Sequence, residues 1–479
     1  MLFNSFNFAI FMPIVFVIYW ILGKNVKNQN LFLLAASYFF YAWWNWRYLS
    51  LVLLCSLVNF FAGMLMKPVI PMGNDGSEKR RNTLILSLCC IVCLGILSVF
   101  KYYDFFVTSF VDAFSIFGVK MQAHTLNLIL PVGISFYTFH TLSYTIDVYR
   151  GKFAPTKDII SFFLFVSIFP LAMAGPIERA TNLLPQIYTK RTFNYDRVRE
   201  GMKLVLWGLF MKVVVADRVC LYVDKVYINA TRESGLSLTV ATFLFAVQIY
   251  CDFAGYSNMA IGIGKILGFN FLQNFNRPYF STGITQFWRR WHISLSSWLR
   301  DYIYMALGGS HCSKWRNYWN IFVVFLISGL WHGANWTFIV WGILHGVFQI
   351  IERIFGLQKS DSKGFVKIFR ILITFLIVNL LWVFFRAPTI SEAWYVISKI
   401  FTDLGNTNLY LATNTIMLTI VFGVSMLFGK EIFDEFFPNR MRLFDNPKIY
   451  VRWAAYILIF VSIMLVGVFD GGQFIYFQF

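Results

Sequence analysis

Charge is what this chain has least of. Asp, Glu, Lys and Arg make up only 13% of its 479 residues, about half the share found in soluble globular domains. With 58% hydrophobic residues, 20% aromatics and a mean hydropathy of +0.62, a soluble enzyme is excluded and an integral membrane protein is expected. Acids are the scarcer charge, 23 against 41 bases, for a net charge of +18. That surplus does not point to nucleic acid, because the bases form short clusters between apolar runs and no continuous patch. Topology explains them better: Lys67, Lys79, Arg80 and Arg81 bracket a polar loop expected on the cytoplasmic side, which Lys24 and Lys27 also favour. If residues 6–22, 31–44 and 48–65 each cross, the N-terminus is expected outside.

Other absences narrow the reading further. Cys55, Cys89, Cys90, Cys93 and Cys251 fall within apolar stretches and no Cys/His spacing suggests a zinc site, so no metal is expected and the thiols read as small core residues. The first apolar run lacks a basic segment before it and a small-residue cleavage pattern, so it is expected to stay as a helix. No acidic tail, low-complexity linker or short repeat interrupts the chain, which reads as one membrane domain over residues 1–479. Gly262, Gly264 and Gly268 fit neither GxGxxG nor GxxxxGK and are expected to serve close helix packing. No inverted repeat pairs the two halves, which weighs against a proton-coupled transporter or flippase.

What is present is a series of long apolar runs, at 6–22, 48–65, 83–100, 238–250, 368–385, 411–428 and 450–468. They predict an all-α polytopic protein with roughly ten to twelve transmembrane helices, at about 20 residues per crossing. The run 159–174 has basic residues on both flanks and Pro170, Gly175 and Pro176 near its end, so it is expected to turn back within the membrane. Over 287–304 a 3.6-residue repeat gives an aromatic stripe, Trp288, Trp291, Leu295, Trp298 and Tyr302. Opposite it run Arg289, His292, Ser296 and Arg300, so an amphipathic helix at the interface or along a wet cavity is expected.

Only six histidines occur, and two stand in this apolar middle. His332 lies inside the apolar run 318–341, between Trp331 and Gly333, and His292 lies forty positions earlier. An ionisable group at membrane depth is a functional candidate by default. An imidazole can also move a proton near neutral pH without a large pKa shift. Gly329 and Gly333 are read as loosening the helix around His332, Trp331 and Trp336 as walling it from lipid, and indole, Asn335 amide or backbone N–H groups as oxyanion donors. Asp252, Asn258, His140, Asp147 and His345 are further polar residues in apolar context, Asp252 as a partner for a histidine, a passage lining, a cap on a broken helix or the ion-pair partner of an arginine. His124 and His311 sit in polar loops and are read as solvated.

Several stretches resemble the membrane-bound O-acyltransferases, in particular their bacterial alginate-acetylating branch: 251–269 (CDFAGYSNMAIGIGKILGF), 274–309 and 328–346 (SGLWHGANWTFIVWGILHG), with support from 131–151 and 174–180. The resemblance implies helices around a central polar tunnel, a catalytic motif region at about 131–350, and C-terminal helices with an aromatic tail over 367–479. It implies His332 as general base and His292 as the second motif histidine. Around them, Asp252, Asn258, Trp288, Arg289, Arg290, Ser296, Arg300, Asp301, Trp331, Asn335 and Trp336 would line or support the tunnel.

The donor implied is acyl-CoA, such as acetyl-CoA, or an acyl carrier protein, with no bound cofactor and no metal. The acceptor implied is the hydroxyl of an exported polysaccharide or envelope glycan, reached with an extracytoplasmic acyltransferase partner from a bacterial cytoplasmic membrane. The tail FDGGQFIYFQF resembles a C-terminal motif of this branch, which suggests Tyr476 as a transient acyl carrier or, more simply, as part of an interfacial anchor. D-alanyl transfer to an envelope polymer is the alternative within the family.

Overall fold

The computed structural model describes residues 1–66, 76–173, 175–359, 362–437 and 444–469. Regular structure among them is helical throughout, with no strand. The chain divides into two compact units, Met1–Gly201 with Ile263–Leu272, and Met202–Gly262 with Gln273–Phe479.

The first unit contains α1 (Phe6–Ile21), α2 (Val26–Asn45), α3 (Leu49–Leu65), α4 (Gly76–Lys101), α5 (Tyr103–Ser115), α6 (Ile134–Tyr149), α7 (Ile159–Ser167) and α8 (Ala180–Tyr188). Helix α9 (Tyr195–Leu209) begins in it and ends in the second. The second unit then holds α10 (Asp217–Ile228), α11 (Gly235–Ile266) except its last turn, α12 (Ile284–Arg290) and α13 (Ile293–Leu299). It continues with α14 (Lys314–His332), α15 (Trp336–Ile354), α16 (Gly364–Arg386), α17 (Ile390–Thr402), α18 (Asn414–Phe436) and α19 (Ile449–Val466).

Eight described stretches are long and apolar enough to cross a membrane: Phe6–Lys24, Val26–Leu65, Gly76–Lys101, α11, α15, α16, α18 and α19. Val26–Leu65 comprises α2 and α3 with a short turn between them. On α1, Phe6, Ile10, Ile14, Val17 and Ile21 are all exposed. A helix apolar on every side belongs in lipid, where such side chains need no protein partner. The protein is a multi-pass membrane protein.

Polar caps set several helix starts, since the first backbone N–H groups of a helix have no partner inside it. Asn25 Oδ1 accepts from Lys27 and Asn28 N–H before α2, and Asp158 Oδ1 accepts from Ile160 and Ser161 N–H before α7. Helix α7 has nine residues, about 14 Å, too short to cross about 30 Å of hydrocarbon. It ends at Ser167 and the chain turns by a hydrogen bond from Leu171 N to Ile168 O, so the expected interruption of 159–174 falls just before Pro170.

Three local readings change. The 287–304 segment is not one amphipathic helix, because the chain breaks between α12 and α13 at His292, whose φ of 42° lies in the left-handed region. The imidazole consequently leaves the polar stripe and is fully buried, while Arg289 and Arg300 stay exposed.

The 318–341 run is likewise a helix hairpin, with α14 ending at His332 and Asn335 capping α15 through Thr337 N–H. Gly329 does not loosen the helix there. A Cβ on it would sit 2.4 Å from Phe338 O, and one on Gly342 2.4 Å from Phe325 O, so these glycines let the two helix backbones touch.

In the 262–268 segment, Gly264 makes room for the Phe271 ring and not for another helix. The close crossing on α11 belongs to Gly255, where a Cβ would lie 2.7 Å from Gly208 O.

Candidate active site

His332 is the last residue of α14, buried at the tip of the hairpin. Trp331 meets its ring edge-on at 5.0 Å between centroids, Trp341 at 4.9 Å and Phe385 of α16 at 5.5 Å. Trp341 comes from α15 and is fully buried, whereas Trp336, expected as a wall, is 52% exposed. The helix ends between them, and a residue beyond the break no longer follows the α14 face. Asn335 is occupied at the same corner: Oδ1 caps α15 and Nδ2 donates to Pro388 O at 2.9 Å. The indole N–H of Trp341, by contrast, is buried and has no hydrogen-bond partner among the described residues.

His292 lies across the Trp331 indole, 5.7 Å from it by centroids. Its Nδ1 is 3.0 Å from Asn274 Oδ1. That oxygen also accepts from Ser294 N–H at 3.3 Å and Ser294 Oγ at 2.9 Å, while Asn274 Nδ2 donates to Ser257 Oγ on α11. A backbone N–H can only donate, so the amide presents its oxygen to the ring and Nδ1 must carry the proton. Burial pushes the imidazole down to about 3, so it is neutral with its basic lone pair on Nε2. Phe253 of α11 closes another side, 4.6 Å away at 90°.

A third histidine joins the cluster. His345 is fully buried, and its Nδ1 accepts from Trp288 Nε1 at 3.3 Å, with the Trp341 ring 4.9 Å away. The partners of Trp288 and Trp341 come from separate helices, so only packing reveals that the three imidazoles share one aromatic cage.

Beside this cage is a cavity of about 320 Å3, within the range of small-molecule sites. Trp288, Arg289, Ser296, Arg300, Ser328 and Arg353 are among its lining residues. Ser328 is buried, its hydroxyl has no hydrogen-bond partner among the described residues, and it precedes His332 by one helical turn on α14. Arg353 donates to Asn317 Oδ1 at 2.7 Å and Arg300 pairs with Asp301 at 2.8 Å. Three guanidinium groups against that one carboxylate leave the lining cationic, which suits an anionic ligand.

Other expected tunnel residues stand elsewhere. Asp252 forms an ion pair with Lys212 at 2.6 Å, and Asp217 meets the same ammonium at 2.8 Å. Lys212 lies in a π-helical turn, Phe210–Ala216, whose wider pitch brings it to Asp217 five residues on. Lysine takes the role for which an arginine was a sequence-based option. Asn258 Nδ2 contacts Met211 Sδ at 3.6 Å. Arg290 is turned to Glu435 and is not among the cavity residues, unlike its neighbour Arg289.

His140 is buried in the first unit against Phe165, Asp147 is buried in that unit, and His124 and His311 are exposed. Tyr476 lies outside the described residues. Asn274, Ser328, Trp341, Arg353 and Glu435 were not singled out as site residues from sequence. Asn274, Ser328 and Trp341 fall inside the recognised motifs, but nothing local marks them.

The sequence pattern of the membrane-bound O-acyltransferase family matches residues 38–391. A protein of Pseudomonas aeruginosa named as a probable alginate O-acetylase is 40% identical, over 83% of this chain and 74% of its own. A peptidoglycan O-acetyltransferase of Helicobacter pylori is 37% identical, over 83% and 79%. A teichoic acid D-alanyltransferase of Bacillus subtilis is more distant, 28% identical over 50% and 62%. The class is therefore a membrane acyltransferase. The chain belongs to the membrane-bound O-acyltransferase family.

Proposed function

We propose that this enzyme moves an acetyl group from a cytoplasmic thioester to a hydroxyl of an exported envelope glycan, with His332 as general base. One observation carries the reading: a buried imidazole stands one helical turn from a cavity wall, between two indoles, in a membrane protein of this family. Relatives named for O-acetylation of alginate and of peptidoglycan, at 40% and 37% identity, favour acetyl and glycan.

In the reaction the neutral imidazole takes the acceptor hydroxyl proton as that oxygen bonds to the thioester carbonyl carbon. The carbon–sulfur bond then breaks, and the proton passes from the imidazolium to the departing thiolate. Charge builds on the carbonyl oxygen between these steps, and the unpartnered Trp341 N–H is the candidate donor to it. His292, with its lone pair on Nε2, is the second proton-handling group.

Acyl-CoA and acyl carrier protein both bring anionic phosphate, which the cationic lining of Arg289, Arg300 and Arg353 would attract. An extracytoplasmic acyltransferase partner would complete delivery, with Tyr476 as an ester-forming relay. The setting is the bacterial cytoplasmic membrane, the N-terminus outside. The 28% match to a D-alanyltransferase supports D-alanyl transfer as the second reading.

Mass analysis of the envelope glycan with and without the protein tests the proposal. A difference of one acetyl group per modified sugar is expected; a D-alanyl difference selects the second reading, and an unchanged glycan defeats both. Tyr476→Phe keeps the ring and removes the hydroxyl, so full activity in that variant rules out the relay.

A further inference from the structure

We infer that Glu435, near the end of α18, is a positioning residue for His292. The inference rests on the reading above only in taking His292 to serve the reaction. The loop that carries His292 folds back on itself. Asn276 N donates to Arg290 O at 2.9 Å and Ile293 N to Asn274 O at 2.9 Å, which brings Asn274 beside His292. Its backbone is strained at two non-glycine residues, Arg277 with φ 44° and His292 with φ 42°. Left-handed conformations of such residues persist only when surrounding contacts enforce them.

Glu435 supplies that enforcement at both points. Its Oε2 accepts from Arg277 Nε at 2.8 Å, so it grips the first strained residue directly. Its Oε1 accepts from both terminal nitrogens of Arg290 at 3.1 Å, two residues before the second. Arg290 Nη1 also reaches Arg277 O at 3.4 Å, which closes the clamp across the loop. The carboxylate is 7% exposed, where a bidentate guanidinium contact is well defined and poorly replaced by water. Without it, both arginines are free to swing, and Asn274 and His292 lose the frame that sets ring orientation and tautomer. Glu435 touches neither histidine, so its effect reaches the chemistry only through the loop.

The experiment compares Glu435→Gln, Glu435→Asp, Arg290→Lys, His292→Ala and the Glu435→Gln/His292→Ala double variant in purified full-length protein, at matched folded amounts. Asp224→Asn, which removes the separate Arg386–Asp224 pair at 2.8 Å, is the control. A displacement of about 1 Å at a reacting group can reduce turnover about a hundredfold. Glu435→Gln is expected to lower kcat about ten- to a hundredfold with KM within twofold, Glu435→Asp to restore part of it, and the double variant to be no worse than His292→Ala. Arg290→Lys, which keeps the charge but not the fork, is expected to lower kcat likewise, and Asp224→Asn to leave it unchanged.

Wild-type kcat in both Glu435→Gln and Arg290→Lys beside an impaired His292→Ala would overturn the inference alone. So would a double variant whose losses multiply. Full activity in His292→Ala would overturn the underlying reading instead. If Glu435→Gln does not fold, Arg290→Lys decides by the same criteria.

Discussion

Asn274 holds His292 by Nδ1, the nitrogen that bears the proton. The 3.0 Å contact from Nδ1 to the amide oxygen leaves the lone pair on Nε2, and the serine N–H and hydroxyl on the same oxygen keep the amide from turning over. A backbone donor thus fixes the tautomer of a ring in the loop between α12 and α13.

Replacing Asn274 with Ala removes that acceptor and frees the ring to rotate. We expect kcat to fall about ten- to a hundredfold, as misorientation of a reacting group does, with KM little changed. Steady-state acylation at matched protein level measures it, and an unaltered kcat would contradict the tautomer assignment.

His332→Ala is expected to abolish acylation while membrane insertion and protein level remain, and His292→Ala to reduce it strongly. Loss of a general base lowers rates about 10²- to 10⁴-fold. Trp341→Phe keeps an aromatic ring beside His332 but removes the indole N–H together with part of the ring, and is expected to lower kcat about a hundredfold if that donor meets the oxyanion. Wild-type acylation by His332→Ala would defeat its assignment.

Arg289 and Arg353 line the cavity, and neither has a carboxylate partner among the described residues. The double change to Ala is expected to raise donor KM more than it lowers kcat. The wild-type KM should also rise with salt, since screening weakens attraction between exposed charges. A donor KM that responds to neither change would place the anionic end of the donor elsewhere.

Glu178 gives a pH prediction for stability. It is buried in the first unit, with Asn182 Nδ2 at 2.7 Å and Leu272 N–H on its carboxyl, and burial pushes it up to about 7 from an ordinary 4.5. A carboxyl raised on folding is held protonated in the native state while the unfolded chain releases the proton above 4.5. Stability from this group is therefore full below pH 4.5 and declines as pH rises towards 7, by ~3 kcal/mol in all. Thermal unfolding in detergent at pH 5 and pH 7.5 should show the decline in wild type and a smaller one in Glu178→Gln. Equal pH slopes in the two would refute it.

The hairpin residues show how far sequence carried the site. His332 stood out because an ionisable ring in an apolar run is conspicuous residue by residue, and His292 because a recognised motif carries it. Their neighbours did not, because contacts form across helices. Helical spacing selected Trp336 beside His332, but α14 stops at His332, and Trp341 from the next helix takes the place. Similarly, Arg289 and Arg290 are adjacent and chemically identical, yet one faces the cavity and the other a carboxylate 145 residues further on.

The sequence alone determined that this is a multi-pass helical membrane protein and which imidazoles are set in its apolar interior, since hydropathy and composition act where each residue stands. The tertiary structure decided which nitrogen of His292 is basic, which indoles enclose His332, and which arginines line the cavity. Those outcomes depend on where helices break and how closely glycines let them approach, which are properties of packing and leave no periodic trace in the chain.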